Sequence, residues 1–223
     1  MNKDILHYFK LITDSYVLNL YDDIDEDNIE EESNNFTIPI NLISEENIKN
    51  RYIDSVKATI RNSIEYKNWV KWFHLKYTPA ICAVTDNTTT LDVHHHPITM
   101  EDLVDIALNY IYDNHLTFSS FLIGDIVIRW HYKDMIGACY LCKTYHDRFH
   151  KIHDVDIPED KVEWDIDNFM NDPIIKLYLN EYHIGKICNY MPKLVKDRYD
   201  LFKGYVNYDG NNVTSYNSFK QPD

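Results

Sequence analysis

With 223 residues, 44% of them apolar and 14% aromatic, the chain can build one substantial core or two small ones, which excludes a disordered or fibrous protein. The cysteines at 82, 139, 142 and 188 are few and unevenly spaced, so they read as reduced thiols and exclude a disulfide scaffold. The formal net charge of -14 is concentrated: Asp22 to Glu32 carries eight carboxylates and no basic residue, so -14 minus -8 leaves -6 for everything else.

Residues 4 to 20 place Ile5, Leu6, Phe9, Ile12, Tyr16, Val17 and Leu20 near a helical repeat and predict a short amphipathic helix. The acidic run that follows resists burial and reads as a solvated linker, with mimicry of a phosphate backbone as the sharper alternative. Neither a membrane-spanning apolar run nor a secretion signal at Met1-Asn2-Lys3-Asp4 is visible, so a cytoplasmic protein is expected. From the N-cap Ser44, Ile48, Tyr52, Val56, Ile60 and Ile64 recur every four residues and predict one helix to about Tyr66 with that face in the core. Trp69, Trp72 and Phe73 extend the apolar density, and packing is the preferred reading over base stacking.

Residues 80 to 95 read as two short extended pieces around turn material at Asp86-Asn87-Thr88, the second alternating into His94, with Pro97 ending it. Thr99 with Asp102 signals a helix start, and Leu103, Ile106, Ala107, Tyr110 and Ile111 form its buried face. A second helix is predicted over 121 to 132, then a short strand at 138 to 141 and a short helix at 143 to 151. Flanking helices should follow beyond Pro158, with a turn and a frayed tail from Asn207.

Eight of the eleven histidines lie between residues 94 and 153. Imidazole is a common metal ligand and titrates nearest neutrality, so this concentration points to metal-assisted proton chemistry. His146 and His150 are four apart and share one side of the predicted helix. If that helix packs across the two strands, a divalent ion is held between His94 and His146, His150 is available as a third ligand, and one imidazole is left beside the ion.

The segments Leu91-Asp92-Val93-His94-His95-His96-Pro97-Ile98-Thr99 and Trp130-His131-Tyr132-Lys133-Asp134-Met135-Ile136-Gly137, followed by Leu141-Cys142-Lys143-Thr144-Tyr145-His146, resemble the HNH endonucleases of the ββα-metal (His-Me finger) group, especially phage-encoded ones. The resemblance covers about residues 80 to 158. It implies His94 as metal ligand, His95 as general base, His146 as the closing ligand and His150 as an additional one. The cofactor would be one divalent ion, Mg²⁺ or Mn²⁺ first and Zn²⁺ or Ni²⁺ as alternatives. DNA would be cut to 5' phosphate and 3' hydroxyl ends, with Lys143, Arg148 and Lys151 holding the backbone. The chain departs from the family pattern in two places. Gly137 stands where the middle Asn belongs, with Asp134 as its possible substitute, and Tyr145 replaces a cysteine. Counting back from Pro97 favours His94 as the base, whereas the strand pattern favours His95, which we adopt.

The expected architecture is α+β and mostly helical. A helical region over 1–75 with an acidic linker at about 22–35 precedes an HNH core over 76–158, whose strands are separated by a helical insertion, and a helical flank fills 159–223. Two alternatives stay open. Cys139, Cys142, His146 and His150 could form a structural zinc site, and the chain could be a non-catalytic binding protein that docks a protein partner through the acidic segment 22–32 and the helical flanks. His96, His131 and His153 have bland readings as loop-orienting, structural or surface groups.

Overall fold

The computed structural model describes residues 46–114, 116, 119–152, 155–208 and 213–215. The chain divides into two units, 1–38 and 39–223, and every described residue belongs to the second. The predicted helix at 4–20, the acidic run, Ser44, His153 and the turn at 209–212 lie outside the described residues.

Helix α1, Glu46–Asn62, carries Glu46 in its first turn and Arg61 in its last, the charge order that complements the helix dipole. Its buried residues are Ile53, Val56 and Ile60. The expected single helix to Tyr66 is instead two. Ser63 donates its N–H to the carbonyls of Thr59 and Ile60 at 3.1 and 3.0 Å, while its hydroxyl accepts from the Tyr66 N–H at 3.1 Å and caps α2, Ile64–Lys76. The break turns the next face away from the core, so Ile64, expected inside, is 68% exposed. Trp69 and Phe73 on α2 are buried, as packing requires.

Strand β1, Leu91–His95, pairs antiparallel with β2, Ala138–Cys142, in the register Leu91 to Cys142, Val93 to Tyr140 and His95 to Ala138. Between them run α3, Met100–Asp113, and α4, Ser120–Tyr132. Thr99 and Asp102 close a reciprocal capping box at the start of α3, whose buried stripe includes Leu103, Ile106, Ala107 and Ile111. Helix α5, Lys143–Ile152, follows β2 without an intervening residue. The expected extended piece before the turn is not a strand: the Ala83 N–H reaches the Tyr140 carbonyl at 2.8 Å, and the chain then turns through Asp86 at φ 54°.

The C-terminal flank is helical, as expected: α6 (Ile166–Asn171), α7 (Pro173–Tyr178), α8 (Glu181–Tyr190), α9 (Pro192–Asp197) and α10 (Tyr199–Phe202). Asp165, Asp172 and Asn180 cap the first three of these. Phe169, Ile175, Ile184, Val195 and Phe202 join the buried residues of α1, α3 and α4 in one core. Asp102 ties α3 to α8 through Lys186, whose Nζ lies 2.8 Å from its Oδ2. Where a frayed end was expected, β3 (Val206–Tyr208) and β4 (Val213–Ser215) pair antiparallel. Among the described residues the architecture is mostly helical, with two small two-stranded sheets.

Candidate metal centre

His94 stands near the end of β1, and His146 and His150 stand one turn apart on α5. Because α5 leaves β2 directly, it lies beside β1, and Phe149 plugs the junction with its ring 4.5 Å, centroid to centroid, from that of His94. One nitrogen from each of His94, His146 and His150 lies within 4.8 Å of the other two. The Nε2 atoms of His146 and His150 are 3.2 Å apart. The trio runs from the interior to the surface: His94 is buried, His146 half-buried and His150 exposed.

Burial, reinforced by the neighbouring imidazoles of His146, His96 and His150, pushes the His94 ring down to about 2, so it stays neutral with a free lone pair. Its Nε2 is buried without a hydrogen-bond partner among the described residues, a costly state for a polar atom unless something accepts it. Three imidazole nitrogen donors without a carboxylate suit a borderline transition ion such as Zn²⁺ or Ni²⁺ better than Mg²⁺, which prefers oxygen. By chemistry and by the orphaned nitrogen, the residues fit such an ion. On the other side of His146, Nδ1 lies 3.2 Å from Asp92 Oδ2. Asp92 was not among the expected site residues, although strand alternation places it on the His94 face, two residues away.

His95 does not join this group. Adjacent residues on a strand face opposite ways, and His95 turns to the far side of β1. There its Nε2 meets His131 Nε2 at 2.9 Å, and its ring stacks over Trp69 with centroids 5.9 Å apart. His131 Nδ1 lies 2.7 Å from the Val127 carbonyl, which can only accept, so His131 carries its proton there and accepts from His95 through Nε2. Burial pushes the His131 ring down to about 4 and holds His95 well below the ordinary histidine range. His131 is thus a buried side chain with both ring nitrogens engaged, away from the converging imidazoles. His96 returns to the His94 face, but its buried ring packs edge-on to Tyr190.

The position of the missing Asn has a steric explanation. A Cβ on Gly137 would lie 2.3 Å from the His96 carbonyl oxygen, so no side chain fits, and the Gly137 carbonyl accepts the His96 N–H at 2.9 Å instead. The loop after β1 is thus tied to the start of β2 by backbone alone. Asp134 does not substitute: at φ 58° after α4, it takes Lys76 Nζ at 2.8 Å.

Lys143, Arg148 and Lys151 are all exposed on α5. Lys143 falls three and seven residues before the two helix ligands and so shares their stripe, whereas Arg148 and Lys151 lie further round the helix. The gathered group contains no thiol. Cys139 is buried on β2, where burial pushes its thiol up to about 12, contrary to the metal-ready thiolate that a Cys-His site needs. Cys142 instead donates its backbone N–H to Cys82 Sγ at 3.3 Å.

Two antiparallel strands followed by a helix, with imidazoles converging from strand and helix, define a candidate single-ion centre within a helical protein. The chain belongs to the bacteriophage G278-like virion protein family, whose model matches residues 4–204. No curated protein and no solved structure matches it. No helix among the described residues is long and apolar enough to cross a membrane.

Proposed function

We propose that this phage protein holds one divalent transition-metal ion on His94, His146 and His150 and uses it to hydrolyse DNA phosphodiester bonds, in the manner of the HNH group that its histidine segments resemble. The observation that supports the reading best is the convergence of three imidazole nitrogens within 4.8 Å on a rim that runs out to solvent. Structural ions are usually enclosed by four protein ligands, whereas three ligands and an open side are the arrangement of a reactive centre. Such an ion supplies Lewis acidity, drawing charge from a phosphoryl oxygen and acidifying water.

The chain's own residues then bind and orient the substrate. Lys143, in line with the ligands on α5, meets the scissile phosphate's charge, and Arg148 and Lys151 meet flanking phosphates. His95, bonded to His131 behind the strand, does not take the water's proton from that position, and the proton leaves to solvent along the open rim. The products are 5' phosphate and 3' hydroxyl ends, and the setting is the cytoplasm of the infected host.

The burial of His95 favours a second reading, in which the ion only pins α5 to β1 and the protein serves as a non-catalytic virion component, docking a partner through the acidic segment 22–32. Nicking of supercoiled plasmid under Zn²⁺, Ni²⁺, Co²⁺, Mn²⁺ or Mg²⁺ separates the two. Cutting by the wild type that disappears in His94→Ala supports the nuclease. A wild type that binds metal and cuts under none of these ions supports the binding module.

A further inference from the structure

We infer that Asp92 is a positioning residue for the metal centre, holding His146 in the tautomer and ring orientation that aim Nε2 at the ion. The inference rests on the proposed metal site and concerns a residue to which that proposal gives no part. Strand alternation sets Asp92 and His94 on one face of β1, so the strand supplies both a ligand and a carboxylate to the same side. The Asp92 carboxylate reaches His146 Nδ1 at 3.2 Å. A carboxylate only accepts hydrogen bonds here, so Nδ1 is the nitrogen that carries a proton, which leaves Nε2 as the atom that can offer a lone pair to an ion. That Nε2 is the atom 3.2 Å from its counterpart on His150. The three groups form one line of hydrogen-bonding atoms, with the carboxylate at the outer end and the converging nitrogens at the inner one.

The same contact contributes little to folding. The Asp92 side chain is 51% exposed and that of His146 26%, and ion pairs this open to solvent add little to stability. Its consequence lies in ligand alignment: a carboxylate behind a ligating imidazole fixes the ring and raises its basicity, and removing such a partner typically weakens metal binding about 10- to 100-fold.

The test uses the full chain, Co²⁺ as the probe, and visible absorption with chelator competition as the readout. Asp92→Ala is expected to bind Co²⁺ roughly 10- to 100-fold more weakly and with an altered ligand-field spectrum. Asp92→Asn, which keeps an acceptor oxygen, should fall between the two and retain most of the wild-type spectrum. Thermal unfolding of the chelator-treated variants should match that of the wild type. Asp92→Ala binding within twofold of wild type, with an unchanged spectrum, overturns the positioning role and leaves the metal reading standing. An affinity loss matched by an equally large loss of stability in the chelator-treated protein also overturns it. Wild-type protein that binds no Co²⁺ overturns both.

Discussion

His95 and His131 meet nitrogen to nitrogen at 2.9 Å inside the protein, on the side of β1 turned away from His94. Two adjacent histidines on one strand therefore have separate fates: one faces the converging imidazoles, and the other is a buried hydrogen-bond donor stacked on Trp69. This arrangement makes the fold sensitive to acid. Burial lowers His131 and His96 to about 4 and holds His95 well below the ordinary histidine range. When a folded-state pKa is depressed, the unfolded chain takes up protons first as pH falls. The stability contribution is full above the unfolded value of about 6.5, declines as pH falls below it, and levels off only beneath the lowest of the folded-state values. Melting temperatures of chelator-treated protein should fall steadily from pH 7 to pH 4.5, and a flat profile across that range is incompatible with neutral, buried rings.

Replacing His131 by Phe removes the acceptor for His95 and the bond to the Val127 carbonyl, and leaves a slightly larger aromatic ring in the same place. The stranded Nε2–H should cost about 1–3 kcal/mol, the usual range for a buried donor without a partner. Denaturant unfolding of His131→Phe measures this directly, and an unchanged midpoint would mean that His95 finds another acceptor.

Gly137→Ala should be among the most damaging single changes outside the large core residues. The added methyl would sit 2.3 Å from the His96 carbonyl oxygen, a backbone atom that cannot move without opening the tie between the strands. A loss near the top of the ~0.5–3 kcal/mol range is expected from urea titration. Gly185→Ala is the control: nothing lies within 4 Å of the point where its methyl would stand, and alanine is favoured over glycine inside a helix, so it should be stabilising by about 0.5–1 kcal/mol.

Zn²⁺ or Ni²⁺ should raise the melting temperature of the wild type, because an ion that binds only the folded chain adds about 2.7 kcal/mol at a hundredfold excess over Kd. His94→Ala, His146→Ala and His150→Ala should each abolish most of that increment, while His95→Ala should retain it. A metal-induced shift that survives all three ligand changes would place the ion elsewhere.

Much of this architecture is legible from residue order alone, for identifiable reasons. Thr99 and Asp102 announce α3 because a capping box is a local, two-residue event. The i, i+4 spacing of His146 and His150 is similarly local, and β1, β2 and α5 fall where period and punctuation place them. What escapes is set by neighbours distant in sequence. Ser63 looks like one more polar residue on a continuous helix until its hydroxyl caps the next one. Residues 80 to 84 have strand composition but make a single backbone bond to Tyr140 before turning. The hairpin of Val206–Tyr208 with Val213–Ser215 is too short for its periodicity to register. The pairing of His94 with His95 as ligand and base treats two neighbours as one group, whereas the twofold repeat of a strand already separates them and points to Asp92 as the companion of His94.

The central claim is that the ion rests on three imidazoles. X-ray absorption at the metal edge of the Zn²⁺-loaded protein tests it most directly. Nitrogen scatterers near 2.0 Å with the outer-shell signature of about three histidines are expected, reduced in His94→Ala. Sulfur scattering near 2.3 Å, or an unchanged spectrum in His94→Ala, would contradict it.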